Sequence, residues 1–343
     1  MSNIFLNLPD LNDDVRDDMK ILFIGMSGGV DSQVLAHLVA NDKNLYNTEI
    51  VGVHVNYGLT NSDQREKLVI ETANKLDFPV VVRVADKSVV TNRDGSFSET
   101  KARDYRFKVF SSLRKEYKLD YANVFLGHHL DDQVETFFMK FLRGSGVRGL
   151  KAMNRITKLP DMVVFRPLLS YSKKEIIEYA RENGIDYIDD VENFVDTHDR
   201  NFIRNKVLPL MESRYPALKK NVEKTLFALN DSLFCLDDLA LSDLRKVLEN
   251  DKISVDKIKN FENGRLSQQR IRNMLLYYIN SKNFTASYQD LIRFTNNLVR
   301  DSSRVEMSLV NKSFTGNSQK YLLKRNGKYL EIVESNRKNQ KRK

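Results

Sequence analysis

The apolar run Ile21-Leu22-Phe23-Ile24-Gly25 passes through Met26 into Ser27-Gly28-Gly29-Val30-Asp31-Ser32, and then into the helical run Gln33-Val34-Leu35-Ala36-His37-Leu38-Val39. A buried strand, a glycine turn and a helix start in that order constrain the chain more than any other stretch. Gly28 and Gly29 let the backbone bend tightly and approach an anion. The unpaired N–H groups of the first helical turn, aided by the helix dipole, then point at that anion. Ser27 and Ser32 add hydroxyl donors. Asp31 would repel a phosphate on its own, so it fits as a ligand of a metal ion that bridges to phosphates, or as an acceptor for an N–H of the turn. A Walker A loop is excluded by the missing lysine and by the spacing. The plain alternative is an ordinary strand-to-helix turn with an Asp/Ser cap.

The alternation continues. Apolar runs at Ile50–Val55, Val80–Val84 and Val124–Gly127 are separated by stretches with helical spacing at Ser62–Leu76, Glu99–Lys118 and Asp131–Leu142. Repeated strand–helix units of this kind make a parallel sheet with helices on both faces, and ligands of such sheets sit at the carboxyl ends of the strands. After Pro209 the pattern turns helical (Val222–Leu229, Leu233–Leu248, Gln268–Ile279, Tyr288–Leu298) and ends in alternating strand residues. The last of these, Tyr321–Leu323 and Tyr329–Val333, flank the hairpin signal Asn326-Gly327. The expected fold is α/β: a doubly wound, mostly parallel sheet followed by a smaller helical domain that ends in a short β-meander. The expected division is an N-terminal extension (1–18), the sheet domain (19–215), the second domain (216–335) and a basic tail (336–343), with the boundary near Tyr215-Pro216. A length of 343 residues suits two domains.

Charge and cysteine usage narrow the function. The net charge is +9 and the sequence pI about 9.3, which favours polyanionic partners, nucleic acid foremost. The single cysteine, Cys235, excludes an internal disulfide, fits a reducing cytoplasm and excludes chemistry that needs paired thiols. No apolar run approaches the roughly 20 residues of a membrane span, and Met1–Asp18 has no signal pattern.

Three further stretches carry chemistry. In Leu130-Asp131-Asp132-Gln133-Val134-Glu135-Thr136, a helix starting here puts Asp132 and Glu135 on one face. Partly buried, that pair calls for a cation, either Mg²⁺ or an ammonium; the alternative is a cap at Asp131 with ordinary first-turn acids. The loop Leu142-Arg143-Gly144-Ser145-Gly146-Val147-Arg148-Gly149 is cationic and suits phosphate or RNA backbone, through Arg143 and Arg148. In Asp199-Arg200-Asn201-Phe202-Ile203-Arg204-Asn205, Arg200 and Arg204 form a two-pronged face matched to phosphate oxygens, or else a solvated helix face. Arg103 and Arg106 either line the same cleft or lie on the surface. His128 and His129 are adjacent and point opposite ways in an extended segment, one packing and one reaching toward a nucleotide; zinc spacing is absent.

The Ser27–Ser32 stretch resembles the SGGxDS signature of the PP-loop ATP pyrophosphatases. With Ala102-Arg103 and Arg106, His128-His129-Leu130-Asp131-Asp132, Glu135-Thr136, Arg143-Gly144-Ser145-Gly146, Gly149-Leu150, Met153, Arg166-Pro167-Leu168-Leu169, Asp190, Asn193, Arg200-Asn201, Arg204 and Leu208-Pro209, the chain resembles the tRNA(Ile)-lysidine synthetase branch over residues 21–210. It departs from that branch at Tyr57-Gly58-Leu59-Thr60, where His-Gly-Leu-Arg is common, and at Phe107, where tyrosine is usual. The resemblance implies a Rossmann-like PP-loop fold and a ligase that uses ATP and Mg²⁺ to join free L-lysine to C2 of the wobble cytidine of tRNA(Ile) with a CAU anticodon, through an adenylated cytidine. It implies ATP binding by Ser27, Gly28, Gly29, Val30, Asp31, Ser32 and His128, with catalytic roles for Asp31, Asp132, Glu135, Arg103, Arg200 and Arg204. It also implies lysine binding by Asp132 and Glu135, RNA contacts by Arg143 and Arg148, and Mg²⁺ at Asp31 and Asp132. Monomer and homodimer both stay open. Longer members carry a further C-terminal domain beyond the point where this sequence stops. The rival thiolation enzymes of the superfamily need cysteines this sequence lacks; ammonia-dependent NAD synthetase leaves the basic tail and second domain unexplained; an RNA-binding protein without catalysis leaves the acid set unexplained.

Overall fold

The computed structural model describes residues 4–6, 19–45, 47–189, 199–261, 266–300, 305–311 and 321–335. The basic tail, Asp190, Asn193 and most of the N-terminal extension lie outside the described residues. The chain divides into two compact units, Met1–Ser145 with Gly149–Phe227, and Gly146–Arg148 with Ala228–Lys343.

The first unit is built on a sheet of β1 (Ile21–Gly25), β2 (Glu49–Asn56), β3 (Val80–Val84), β4 (Ala122–Phe125), β5 (Ile156–Lys158) and β6 (Met162–Phe165), in the order β3-β2-β1-β4-β6-β5. All neighbours pair parallel except β5, which runs antiparallel along β6. Leu22, Phe23 and Ile24 are fully buried, as a central strand covered on both faces requires. From β1 the chain builds outward to β2 and β3, then returns to β4 on the other side. That reversal opens a crevice between the carboxyl ends of β1 and β4, the usual ligand position in doubly wound sheets. Glycine lets the two rims close up: a Cβ on Gly127, just past β4, would sit 3.0 Å from the backbone of Asp31. The antiparallel β5–β6 pair has no counterpart in the sequence-based expectation.

Downstream, the helices expected at Val222–Leu229 and Leu233–Leu248 are one helix of 30 residues, Leu218–Val247. Asn230-Asp231-Ser232 is a weak helix segment, but it holds no glycine or proline to end one. The buried Leu226, Leu233, Ala240 and Val247 fall at intervals of seven and keep a single apolar stripe through it. In the second unit, the helices Gln268–Ser281 and Tyr288–Val299 pack with a sheet of β7 (Leu248–Glu249), β8 (Lys252–Ser254), β9 (Phe284–Thr285), β10 (Glu306–Asn311), β11 (Tyr321–Asn326) and β12 (Tyr329–Glu334), ordered β7-β8-β12-β11-β10-β9. Asn326 pairs with Tyr329, so the tight turn is Gly327-Lys328, one residue beyond the expected pair, with Gly327 at φ +59°. Here Asp243, fully buried, accepts from Arg270 Nε at 3.0 Å and from its terminal nitrogen, while the guanidinium lies 5.3 Å above the Phe261 ring.

Candidate active site

The glycine turn has its hydrogen bonds made internally. Ser27 N–H donates to Ser32 Oγ at 3.1 Å, Ser32 Oγ donates to the Gly29 carbonyl at 2.9 Å, and the two serine hydroxyls stand 3.2 Å apart. Gly28 has φ +80°, and a Cβ there would meet Arg65 Cβ at 3.1 Å. Arg65 straps the turn from outside, donating to the carbonyls of Ser27 at 3.3 Å and Asp189 at 3.1 Å. The helix begins at Val30, whose side chain is buried in the core, so Val30 offers a ligand only its backbone. The crevice beside this turn is lined by Ser27, Asp31, Ser32, Tyr57, Arg106, Gly127, His128 and Asp132, among others. The sequence-based acids and glycines of two distant stretches therefore share one cleft.

Asp31 is paired with a residue that sequence reasoning passed over. Lys173 Nζ lies 2.8 Å from both carboxylate oxygens. Lys173 opens the helix Lys173–Glu182, and its own N–H donates to Asp131 Oδ2 at 2.9 Å. Asp131 in turn pairs with Lys219 at 2.5 Å. Asp131 thus caps a helix other than its own. The cap at the start of Leu130–Leu142 comes from Asp132, which accepts from His129 N–H at 3.0 Å. His129 is buried, with Nε2 3.6 Å from Asp31 and 3.5 Å from Asp132.

Asp132 and Glu135 do share a face, and the cations that face them are arginines. Arg200 donates Nε to Glu135 at 2.8 Å and a terminal nitrogen to Asp132 at 2.9 Å. Arg204 grips Glu135 at both oxygens, at 2.5 and 2.9 Å, and stands 3.6 Å from Asp132. Arg200 lies on the short helix Asp199–Phe202 and Arg204 on the wide π turn Ile203–Val207 that follows it. Burial alone would raise the Asp132 carboxyl, but His129, Arg200, His128 and the His129 N–H together hold it well below the carboxylate range. The same acids raise both arginines despite their burial. Arg200 and Arg204, expected to meet phosphate, are thus occupied by the acids, and the ammonium seat expected at Glu135 is filled by guanidinium groups.

A second set of arginines, of which Arg106 lines the cleft, has no such carboxylate partners among the described residues. Arg103 and Arg166 are both pushed down to about 10, by burial first and then by neighbouring arginines. Arg166 donates to the Asn154 carbonyl and Thr157 hydroxyl, each at 2.8 Å; Arg103 lies 5.1 Å over the Phe107 ring; Arg106 Nε is buried without a hydrogen-bond partner among the described residues. His128, on the cleft wall, is kept neutral: burial lowers it well below its ordinary value, Asp132 opposes, and Arg166, Arg106 and Arg103 add to the lowering. Its Nδ1 also lacks a hydrogen-bond partner among the described residues. A half-buried cluster with surplus positive charge and unspent donors, next to a glycine turn at a helix start, is built for a polyanion.

The PP-loop domain family matches residues 5–211. The chain belongs to the PP-loop family. A tRNA(Ile)-lysidine synthase of Nitrosomonas europaea is 32% identical over 289 residues, covering 82% of this chain and 60% of that protein. One from Photorhabdus laumondii is 34% identical over 240 residues, covering 68% and 52%. The chain therefore spans only about half to three fifths of the curated relatives it matches. Among solved structures, the U34-tRNA thiolase NcsA from Methanococcus maripaludis, which carries a [4Fe-4S] cluster, superposes with TM-score 0.50 at 17% identity, over 62% of this chain and 73% of that one. That likeness speaks to the PP-loop fold alone.

The remaining candidates have partners of their own. Arg143 is exposed and pairs loosely with Asp199 at 3.7 Å. Arg148 belongs to the second unit, where it pairs with Asp237 at 2.5 Å and donates to Asn273 at 2.9 Å, so its guanidinium already has protein partners. Among the described residues no helix is long and apolar enough to cross a membrane, and no group of three or more His, Cys, Asp or Glu residues could hold a metal by itself.

Proposed function

We propose that this PP-loop chain ligates lysine to the wobble cytidine of tRNA(Ile) with a CAU anticodon, using ATP and Mg²⁺. The observation that carries the reading is the cleft itself. The Ser27–Ser32 turn and Asp132, which ties in Glu135, Arg200 and Arg204 behind it, line one crevice between β1 and β4, in a chain similar along most of its length to tRNA(Ile)-lysidine synthases. In this reading cytidine O2 attacks the α-phosphorus and pyrophosphate leaves; the lysine ε-amine then attacks C2, and AMP departs carrying O2. The turn and the N–H groups of the Val30–Ala40 helix hold the pyrophosphate. Arg103 and Arg106, rather than the acid-bound Arg200 and Arg204, stabilise charge at the α-phosphate.

Mg²⁺ is commonly held by one or two carboxylates plus substrate phosphates. Asp31, on the cleft wall and paired only with the ammonium of Lys173 and the nearby His129 Nε2 among the described residues, fits that donor set; the ion would neutralise charge developing on the leaving pyrophosphate. Asp132 faces the cleft and takes the lysine ammonium, while Glu135, 1% exposed, anchors the two arginines. Free lysine has an amine pKa of about 10.4 and must shed a proton before it attacks. The second unit and the loop at Arg143 contact the tRNA. Incubation with labelled lysine, ATP, Mg²⁺ and tRNA(Ile) bearing CAU should give labelled tRNA, and a wobble uridine should abolish it. Labelling by another amine, or by none, defeats the reading. Asp132→Asn should lower lysine use more than ATP binding; equal loss of both would put Asp132 on the metal.

A further inference from the structure

We propose that Lys173 is an exchangeable counter-cation of the PP-loop turn: it neutralises Asp31 until nucleotide arrives, then moves to a phosphate oxygen and releases Asp31 to the metal. This rests on the ATP and Mg²⁺ reading above. Two carboxylate–cation pairings on this rim differ in how firmly they are held. Glu135 is 2% exposed at its side chain and is gripped by two guanidinium forks. Asp31 is 27% exposed and Lys173 38%, and the contact is a single ammonium, 2.8 Å from each oxygen. An ammonium is a compact point charge on a flexible stem and passes between oxygen partners more readily than a planar fork.

The base of that stem is fixed. The Lys173 N–H is bound by Asp131, Asp131 is bound by Lys219, and Ser172 and Glu175 close a reciprocal capping box around the same turn. Only the ammonium is left to move, and the carboxylate it holds, Asp31, lines the cleft. The exchange keeps every charge matched: carboxylate with ammonium before nucleotide, carboxylate with metal and phosphate with ammonium after it. In the absence of phosphate a divalent ion must displace Lys173 from Asp31 with no anion to receive it. Metal occupancy of Asp31 is therefore tied to nucleotide occupancy.

The test uses Mn²⁺ as the probe, titrated by electron paramagnetic resonance against the nucleotide-free protein. Since a half-exposed ion pair is worth up to about 1 kcal/mol, Lys173→Met should bind Mn²⁺ alone about fivefold more tightly than the unsubstituted chain. The same variant should bind ATP with Mg²⁺ several-fold more weakly. Lys173→Arg should stay near the unsubstituted chain in Mn²⁺ binding, and Asp31→Asn added to Lys173→Met should erase the gain. Lys173→Gln carries the same expectations if the methionine variant does not fold. Equal Mn²⁺ affinity with and without Lys173, or a gain that survives Asp31→Asn, overturns the exchange. Failure of the unsubstituted chain to bind ATP with Mg²⁺ at all would instead defeat the reading on which it rests.

Discussion

Two buried carboxylates, one in each unit, are held by arginine forks of nearly the same design. In the second unit Asp243 takes Arg270 through two guanidinium nitrogens, and the guanidinium is covered by Phe261. In the first unit Glu135 and Asp132 take Arg200 and Arg204, and near them stand Arg103 and Arg166, each lowered by burial and then by neighbouring arginines, with Arg106 on the cleft wall. The fork alone does not mark a working site, since a balanced pair of this kind can be replaced by apolar groups with little loss. The marker is the imbalance: charge left over, and donors left without acceptors, facing a cleft.

The comparison can be broken first at its centres. Glu135→Gln should cost about 2–3 kcal/mol of stability, since it strands two partly exposed arginines, and Asp243→Asn about 2 kcal/mol for the same reason. Denaturant unfolding would put the two side by side. Only Glu135→Gln should also abolish lysine ligation, and loss of ligation in Asp243→Asn would erase the distinction. Arg106→Met goes the other way. It removes a cation that lacks an acidic partner among the described residues, so thermal stability should hold or rise while nucleotide affinity drops about tenfold. A destabilised Arg106→Met protein would mean that the surplus charge is structural after all.

Gly28→Ala should cost about 1–2 kcal/mol, because a side chain at φ +80° is strained and meets Arg65. Its effect on nucleotide binding by calorimetry should exceed that of an alanine at Gly144, an exposed-loop glycine with open space around it. The last effect is in pH. His128 stays neutral in the folded chain, whereas the unfolded chain takes up a proton below about 6.5. Stability is therefore intact above that pH and falls as pH drops toward the lowered folded value, by up to about 1.4 kcal/mol per unit. His128→Gln should flatten that slope in urea titrations between pH 5 and 6.5 and leave the part due to His54 and His37, which shift the same way.

The site was most legible where chemistry is local. The glycine turn, β1 and β3 read directly from the apolar runs, because strand, turn and helix start are contiguous there. The i, i+3 spacing rightly put Asp132 and Glu135 on one face, but their cations come from residues 65 to 69 positions away, which spacing does not reveal. Lys173 was missed for the same reason. A lysine after Ser172 reads as a solvated first turn, and its partner is 142 residues upstream. The partners of Arg148 were not legible either, because a glycine-flanked arginine reads as free, whereas Asp237 and Asn273, 89 and 125 positions away, bind it. Strands β5 and β6 escaped notice because runs of three and four residues carry too little periodicity to register.

The serine latch of the PP-loop turn has one more consequence. Ser27, Gly29 and Ser32 satisfy one another within the turn itself. The ordering of the loop is thus accomplished when the chain folds. An arriving anion finds a preorganised cradle and needs only to trade hydrogen-bond partners with two hydroxyls, so its affinity reflects that exchange rather than the entropy of shaping a loop.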